Sequence, residues 1–112
     1  MIYDIGTDIV SVKRLENVIE NSPSFLTKVY TNDELKLAKN FKNPKYFYAT
    51  RFAAKEAILK AVGVNYEFNE IEILKAPDGK PLPHIINHDD IKIKLSLSYD
   101  GDYAVAFCII LS

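Results

Sequence analysis

The stretch RFAAKEAILKA, Arg51–Ala61, decides the fold. It reads as one of the better helices in the chain, and packing accounts for nearly every position in it. At about 100° per residue, Phe52, Ala53, Leu59, Lys60 and Gly63 fall on the side of Glu56, while Ala54, Ile58, Ala61 and Val62 line the other side. No side is broadly polar, so Glu56 and Lys60 interrupt an otherwise apolar helix. An unpaired buried carboxylate is strongly disfavoured. Glu56 is therefore either held by a cation or exposed in a cleft.

Upstream of this helix, Ile2 to Val10 is rich in β-branched residues and reads as a strand. Val12, Leu15 and Ile19 recur at helical spacing and predict an amphipathic helix from about Ser11 to Asn21. Ser22-Pro23 starts another helical turn, Thr31-Asn32-Asp33-Glu34 has the form of a capping box, and Asn43-Pro44 opens the helix that runs to Gly63. Downstream the pattern changes. Ile71 and Ile73 alternate with polar residues, Asp78-Gly79-Lys80-Pro81 is a turn, and Ile91, Ile93, Leu95 and Leu97 alternate strictly. Tyr99-Asp100-Gly101-Asp102 then turns into a long apolar strand, Tyr103 to Leu111. One strand, several helices and a closing meander predict an α+β fold with antiparallel strands. With no repeat, low-complexity segment or linker, the expectation is a single domain over 1–112.

The chain of 112 residues is 48% hydrophobic and 26% charged, the profile of a globular protein. Its 14 Lys and Arg against 15 Asp and Glu give a net charge of −1, so no global basic field recruits nucleic acid. Cys108 is the only cysteine, which excludes an intramolecular disulfide and a multi-cysteine metal site; inside AVAFCIIL it is expected to be a buried, inert thiol. MIYDIGTDIV lacks the features of a signal peptide, and no run approaches the ~20 apolar residues of a membrane span, so no membrane partner and a cytoplasmic location are expected.

A second anomaly is Asp8 in GTDIV, because aspartate is a poor strand residue. It is either a cap where the strand hands over to the first helix or the partner of Glu56. Two such carboxylates supply hard oxygens suited to Mg²⁺, which keeps waters and takes one or two carboxylates plus substrate phosphates. Lys60, one turn beyond Glu56, is either an i,i+4 salt bridge or a cation beside a phosphate. His84 and His88 lack metal-ligand partners at suitable spacing and are expected at the surface.

Together, IGTDIV, RFAAKEAILKA, the DGKP turn and LSLSYDGDYAVAF resemble the holo-(acyl-carrier-protein) synthases, small 4′-phosphopantetheinyl transferases of bacterial fatty acid synthesis. The motifs fall in family order and span essentially the whole chain. The resemblance implies the 4′-phosphopantetheinyl transferase-like fold and a homotrimer with coenzyme A bound between neighbouring subunits. It also implies transfer of the 4′-phosphopantetheine arm of coenzyme A to a serine of apo-acyl carrier protein, releasing adenosine 3′,5′-bisphosphate. Asp8 and Glu56 match the magnesium ligands, and Lys60 matches the lysine that works beside Glu56 in catalysis. Arg51, Lys60, Ser98 and Tyr99 are assigned to coenzyme A, and Arg14 on the first helix to the acidic carrier protein. Glu16 and Glu20 make that helix less basic than is usual in the family. Where relatives usually carry histidine after LSLS, this chain has Tyr99, which cannot become cationic near neutral pH. Those two departures motivate a rival from another class, a catalytically silent coenzyme A or carrier-protein binding module. Intact Asp8, Glu56 and Lys60 favour the enzyme.

Overall fold

The helix that carries RFAAKEAILKA runs from Lys45 to Val62 and is the spine of the structure, a computed structural model that describes residues 1–111. Before it come β1 (Ile2–Ser11), α1 (Val12–Asn21), α2 (Phe25–Val29) and α3 (Asn32–Ala38), which makes the spine α4. After it come a short 3-10 turn at Phe68–Glu70, then β2 (Ile71–Lys75), β3 (Pro81–Ile85), β4 (Lys92–Asp100) and β5 (Tyr103–Leu111).

Antiparallel pairing holds throughout, but the strands after α4 do not form one meander. They divide into a β2–β3 hairpin and a three-stranded sheet in the order β1-β5-β4. The predicted N-terminal strand is thus an edge strand laid against the final one, with Asp8 opposite Ala106 and Ser11 opposite Tyr103. The β3 segment, PLPHI, was not anticipated, because proline cannot donate to a strand ladder. It is tolerated here because Ile86 N donates to Glu70 and the Lys80 carbonyl accepts from Ala76. The even-numbered residues therefore face β2, and the nitrogens of Pro81 and Pro83 point away from it.

Alternation decides which face of the sheet is covered. Ala106, Cys108 and Ile110 of β5 turn towards α4 and join Ala53, Ala54, Ala57, Ile58 and Ala61 in one buried cluster, while Ala104 packs in a second one with Val12, Leu15 and Ala49. Small residues on the helix let it sit close. A Cβ on Gly6 would lie 2.0 Å from the Ala57 carbonyl oxygen, so only glycine allows β1 to pass α4 there. Cys108 is fully buried in this layer, and desolvation pushes its thiol up to about 11, in keeping with an inert core cysteine. The opposite face of the sheet leaves Ile5, Ile9, Tyr103, Val105 and Phe107 exposed.

Polar cross-links tie the remaining helices to α4. The Lys55 ammonium is fully buried and donates to Glu34 Oε1 at 2.6 Å and to the carbonyls of Val29 and Phe68. Glu34 forms the anticipated capping box with Thr31 and also accepts from Ile73 N at 2.8 Å. One buried ion pair thereby joins α2, α3, β2 and the 3-10 turn to the spine.

Candidate active site

Asp8 sits in β1 three residues before the strand ends, and it does not cap α1. Ser11 is the cap, its hydroxyl accepting from Arg14 N at 3.2 Å. Asp8 is placed instead by the pleat, on the same face as Gly6 and Val10. The close passage of Gly6 over Ala57 then brings Asp8 to the next turn of α4, where Glu56 and Lys60 project. Lys60 Nζ donates to Asp8 Oδ1 at 2.9 Å and to the Thr7 carbonyl at 3.0 Å. The i,i+4 pair with Glu56, one of the two readings that spacing leaves open, does not form among the described residues; Lys60 bridges helix to strand.

Glu56 is half-buried at the wall of a cleft of about 400 Å³ that Asp8, Ser11, Arg14, Leu15, Val18, Phe25 and Phe52 also line. Its carboxyl is raised above the ordinary carboxylate value, first by burial and then by the Asp8 charge, with Lys60 opposing both. Two carboxylates close enough to disturb one another, open to a cleft and short of cationic neutralisation, fit a hard divalent ion such as Mg²⁺. Among the described residues no group of three or more His, Cys, Asp or Glu forms a denser cage, so waters and substrate oxygens would complete the coordination.

The remaining residues assigned from sequence fall elsewhere on the chain. Arg14 lines the same cleft as Glu56. Arg51, five residues before Glu56, lies on another side of α4. Its guanidinium covers the Phe47 ring at 4.3 Å, and its buried Nε has no hydrogen-bond partner among the described residues. Burial holds its pKa below the usual arginine value. It lines a separate groove of about 610 Å³ with Lys80, Lys94 and the strand from Leu95 to Leu97. Ser98 is exposed opposite Val105 on the open face of the sheet. Tyr99 lies within β4, not in the turn after it, and stacks on Tyr46 with ring centroids 4.2 Å apart. A single chain therefore joins Asp8, Glu56 and Arg14 in one cleft, with Lys60 bonded to Asp8 at its edge, and holds Arg51, Ser98 and Tyr99 outside it. His88 is exposed beside Tyr66, whereas His84 is half-buried and 3.3 Å from Glu72.

Two participants in the surrounding framework were missed from sequence. Lys55 is one: an apolar helix with no polar side is the signal that its ammonium needs a buried partner. Asp102 was read only as part of a turn. It accepts from Lys13 N and from the Ser11 hydroxyl, both at 2.8 Å.

Comparison with known proteins agrees with this geometry. The family model of the 4′-phosphopantetheinyl transferase superfamily matches residues 4–108. The chain is 42% identical to a holo-(acyl-carrier-protein) synthase of Wolbachia pipientis, the alignment covering 98% of each protein. It superposes with a TM-score of 0.86 on the Bacillus anthracis holo-(acyl-carrier-protein) synthase solved with CoA (3′,5′-ADP), at 34% identity over 98% of this chain and 96% of that one. The Helicobacter pylori holo-(acyl-carrier-protein) synthase in complex with coenzyme A gives a TM-score of 0.83 at 32% identity, over 96% and 99% of the two chains. The strand-to-helix carboxylate pair, the α+β frame around it and these likenesses lead to one assignment: the chain belongs to the holo-(acyl-carrier-protein) synthases of the 4′-phosphopantetheinyl transferase superfamily.

Proposed function

We infer that the chain transfers 4′-phosphopantetheine from coenzyme A to a serine of apo-acyl carrier protein, giving holo-acyl carrier protein and adenosine 3′,5′-bisphosphate. The observation that carries this reading is the meeting of Asp8 and Glu56 in one cleft that Arg14 also lines, with Lys60 bonded to Asp8. In the reaction the serine oxygen bonds to the phosphorus next to the pantetheine arm. The bond from that phosphorus to the bridging oxygen of the pyrophosphate breaks, and the electron pair leaves on the bisphosphate. The serine proton goes to the carboxylate of Glu56, which borders the cleft. Lys60 offers its ammonium to the charge that develops on the leaving phosphate. Asp8 and Glu56 are the residues that would hold Mg²⁺, which when bound neutralises the pyrophosphate and polarises the phosphorus under attack. Most of the acceleration comes from positioning and charge neutralisation, as is usual in phosphoryl transfer.

Coenzyme A is assigned to Arg51, Lys60, Ser98 and Tyr99, and these positions support a site shared between subunits. Arg51, Ser98 and Tyr99 lie outside the Asp8–Glu56 cleft of their own chain, so a neighbouring copy has to supply them. The exposed Ile5, Ile9, Val105 and Phe107 give a homotrimer an apolar face to bury. Arg14 is assigned to the acidic carrier, and the cytoplasm is the proposed location. No helix among the described residues is long and apolar enough to cross a membrane. Incubation with coenzyme A, Mg²⁺ and apo-carrier, followed by mass spectrometry of the carrier, tests the reading. Gain of one phosphopantetheine is expected, and an unmodified carrier that nonetheless binds would leave only the silent binding module.

A further inference from the structure

Helix α1 carries Arg14 into the cleft, yet its first turn holds no acidic residue of its own. The free N–H groups and positive dipole end of a helix call for such a group. Here it comes from the far end of the chain. Val12 N donates to the Asp102 carbonyl at 2.7 Å, Lys13 N to Asp102 Oδ1 at 2.8 Å, and Arg14 N to Ser11 Oγ at 3.2 Å. The Ser11 hydroxyl in turn donates to Asp102 Oδ2 at 2.8 Å. Every donor of the opening turn, from Val12 through Arg14, thus ends directly or through Ser11 on Asp102.

Asp102 is itself fixed. It follows Gly101, whose φ of 59° lets the β4–β5 hairpin close in a two-residue turn. The Gly101 carbonyl accepts from the Tyr46 hydroxyl of α4 at 2.7 Å. Hydrogen bonds from Lys13 N and Ser11 hold the carboxylate below its usual pKa range, so it stays ionised at neutral pH.

We propose that Asp102 is a positioning residue for carrier binding, fixing the orientation in which α1 presents Arg14 to an acidic partner. This inference rests on the assignment of α1 as the carrier-docking helix. Asp102 touches no reacting atom; it acts through Ser11 and the backbone of α1, so its loss is expected to weaken capture of the carrier and leave coenzyme A alone.

The test is steady-state kinetics of Asp102→Ala, Asp102→Asn and Arg14→Glu with each substrate varied, together with hydrogen exchange of the amides of residues 12–14. Asp102→Ala is expected to raise KM for the carrier about three- to tenfold, the scale on which losing an N-cap shifts a helix equilibrium. KM for coenzyme A and kcat at saturating carrier should hold, and exchange at Lys13 should quicken. Asp102→Asn, which keeps an oxygen for Lys13 N–H, should retain most of the affinity. A carrier KM unchanged in Asp102→Ala but raised in Arg14→Glu overturns the role of Asp102 alone. Unchanged values in both overturn the docking assignment beneath it. Equal loss for both substrates, or a lowered melting temperature with carrier KM intact, reduces Asp102 to a structural cap.

Discussion

Lys60 reaches across to Asp8 and leaves Glu56 as the carboxylate whose environment opposes its charge. A carboxyl raised in the folded state binds its proton more tightly there than in the unfolded chain. Its stabilising contribution is therefore present at low pH and lost as pH rises through the folded value. At neutral pH ionised Glu56 costs stability, so Glu56→Gln is expected to melt above the parent at pH 7 in chelator-treated protein. The same substitution should lower transfer by about 10²–10⁴-fold, the range for loss of a general base. Calorimetry and carrier mass read the two effects independently, and a lowered melting temperature would mean that Lys60 outweighs burial. Asp8→Ala should also abolish transfer, yet Lys60 is 55% exposed, so loss of this ion pair is expected to cost under about 1 kcal/mol of stability. Tyr99 stands where the resemblance implies a histidine, and its ring rests on Tyr46. Tyr99→Phe keeps that stack and is expected to weaken coenzyme A binding by less than about tenfold, the scale of one hydrogen bond. Loss of turnover with coenzyme A binding intact would move Tyr99 into the chemistry. Sequence located Asp8, Glu56 and Lys60 because each breaks the rule of its element. It left open which of them pair, since that depends on how strand and helix cross.

Between elements, the buried Lys55–Glu34 pair and the Gly6–Ala57 contact determine where α4 sits. Lys55→Met would strand the Glu34 carboxylate in the core, and breaking one side of a buried pair costs about 3–5 kcal/mol. The double variant Lys55→Met with Glu34→Gln is expected to recover part of that loss in a denaturant titration. If the double variant is no better than the single, the carbonyls of Val29 and Phe68 are what require the ammonium. Gly6→Ala would drive a methyl into the Ala57 carbonyl, and overpacking of this kind costs about 1–3 kcal/mol or more. Because Asp8 lies two residues along the same face, activity should fall further than stability does. Most elements were legible because their apolar periods are clean: α1 and α4 at helical spacing, β4 and β5 by alternation and apolar run. The capping box at Thr31 gave the start of α3 outright. What was not legible depended on distant partners. The prolines of β3 are acceptable only on the outer side of a hairpin. A cap at the start of α1 is one of the two readings that sequence leaves open for Asp8, because the residue that joins Ser11 there, Asp102, is 91 residues away.

At the scale of the whole molecule, the open face of the sheet carries Val105 and Phe107 in the centre of an apolar surface. Val105→Glu is expected to convert the proposed trimer to a monomer by light scattering. Transfer should be lost although Asp8 and Glu56 are untouched, because Arg51, Ser98 and Tyr99 do not reach that cleft within one chain. A fully active monomer would refute the shared site. The pairing of β1 with β5 has a consequence for how the chain comes to exist. Ile2 meets Leu111 and Ser11 meets Tyr103, so the first strand synthesised has no neighbour until the last has left the ribosome. Such pairing closes the longest loop the chain allows and is intrinsically slow. Throughout synthesis Asp8 hangs on an unpaired strand, and the helices that carry Glu56 and Arg14 emerge with their sheet still missing. β1 therefore gains its ladder only once β5 is made, and for that interval its exposed edge is the segment most in need of protection from aggregation.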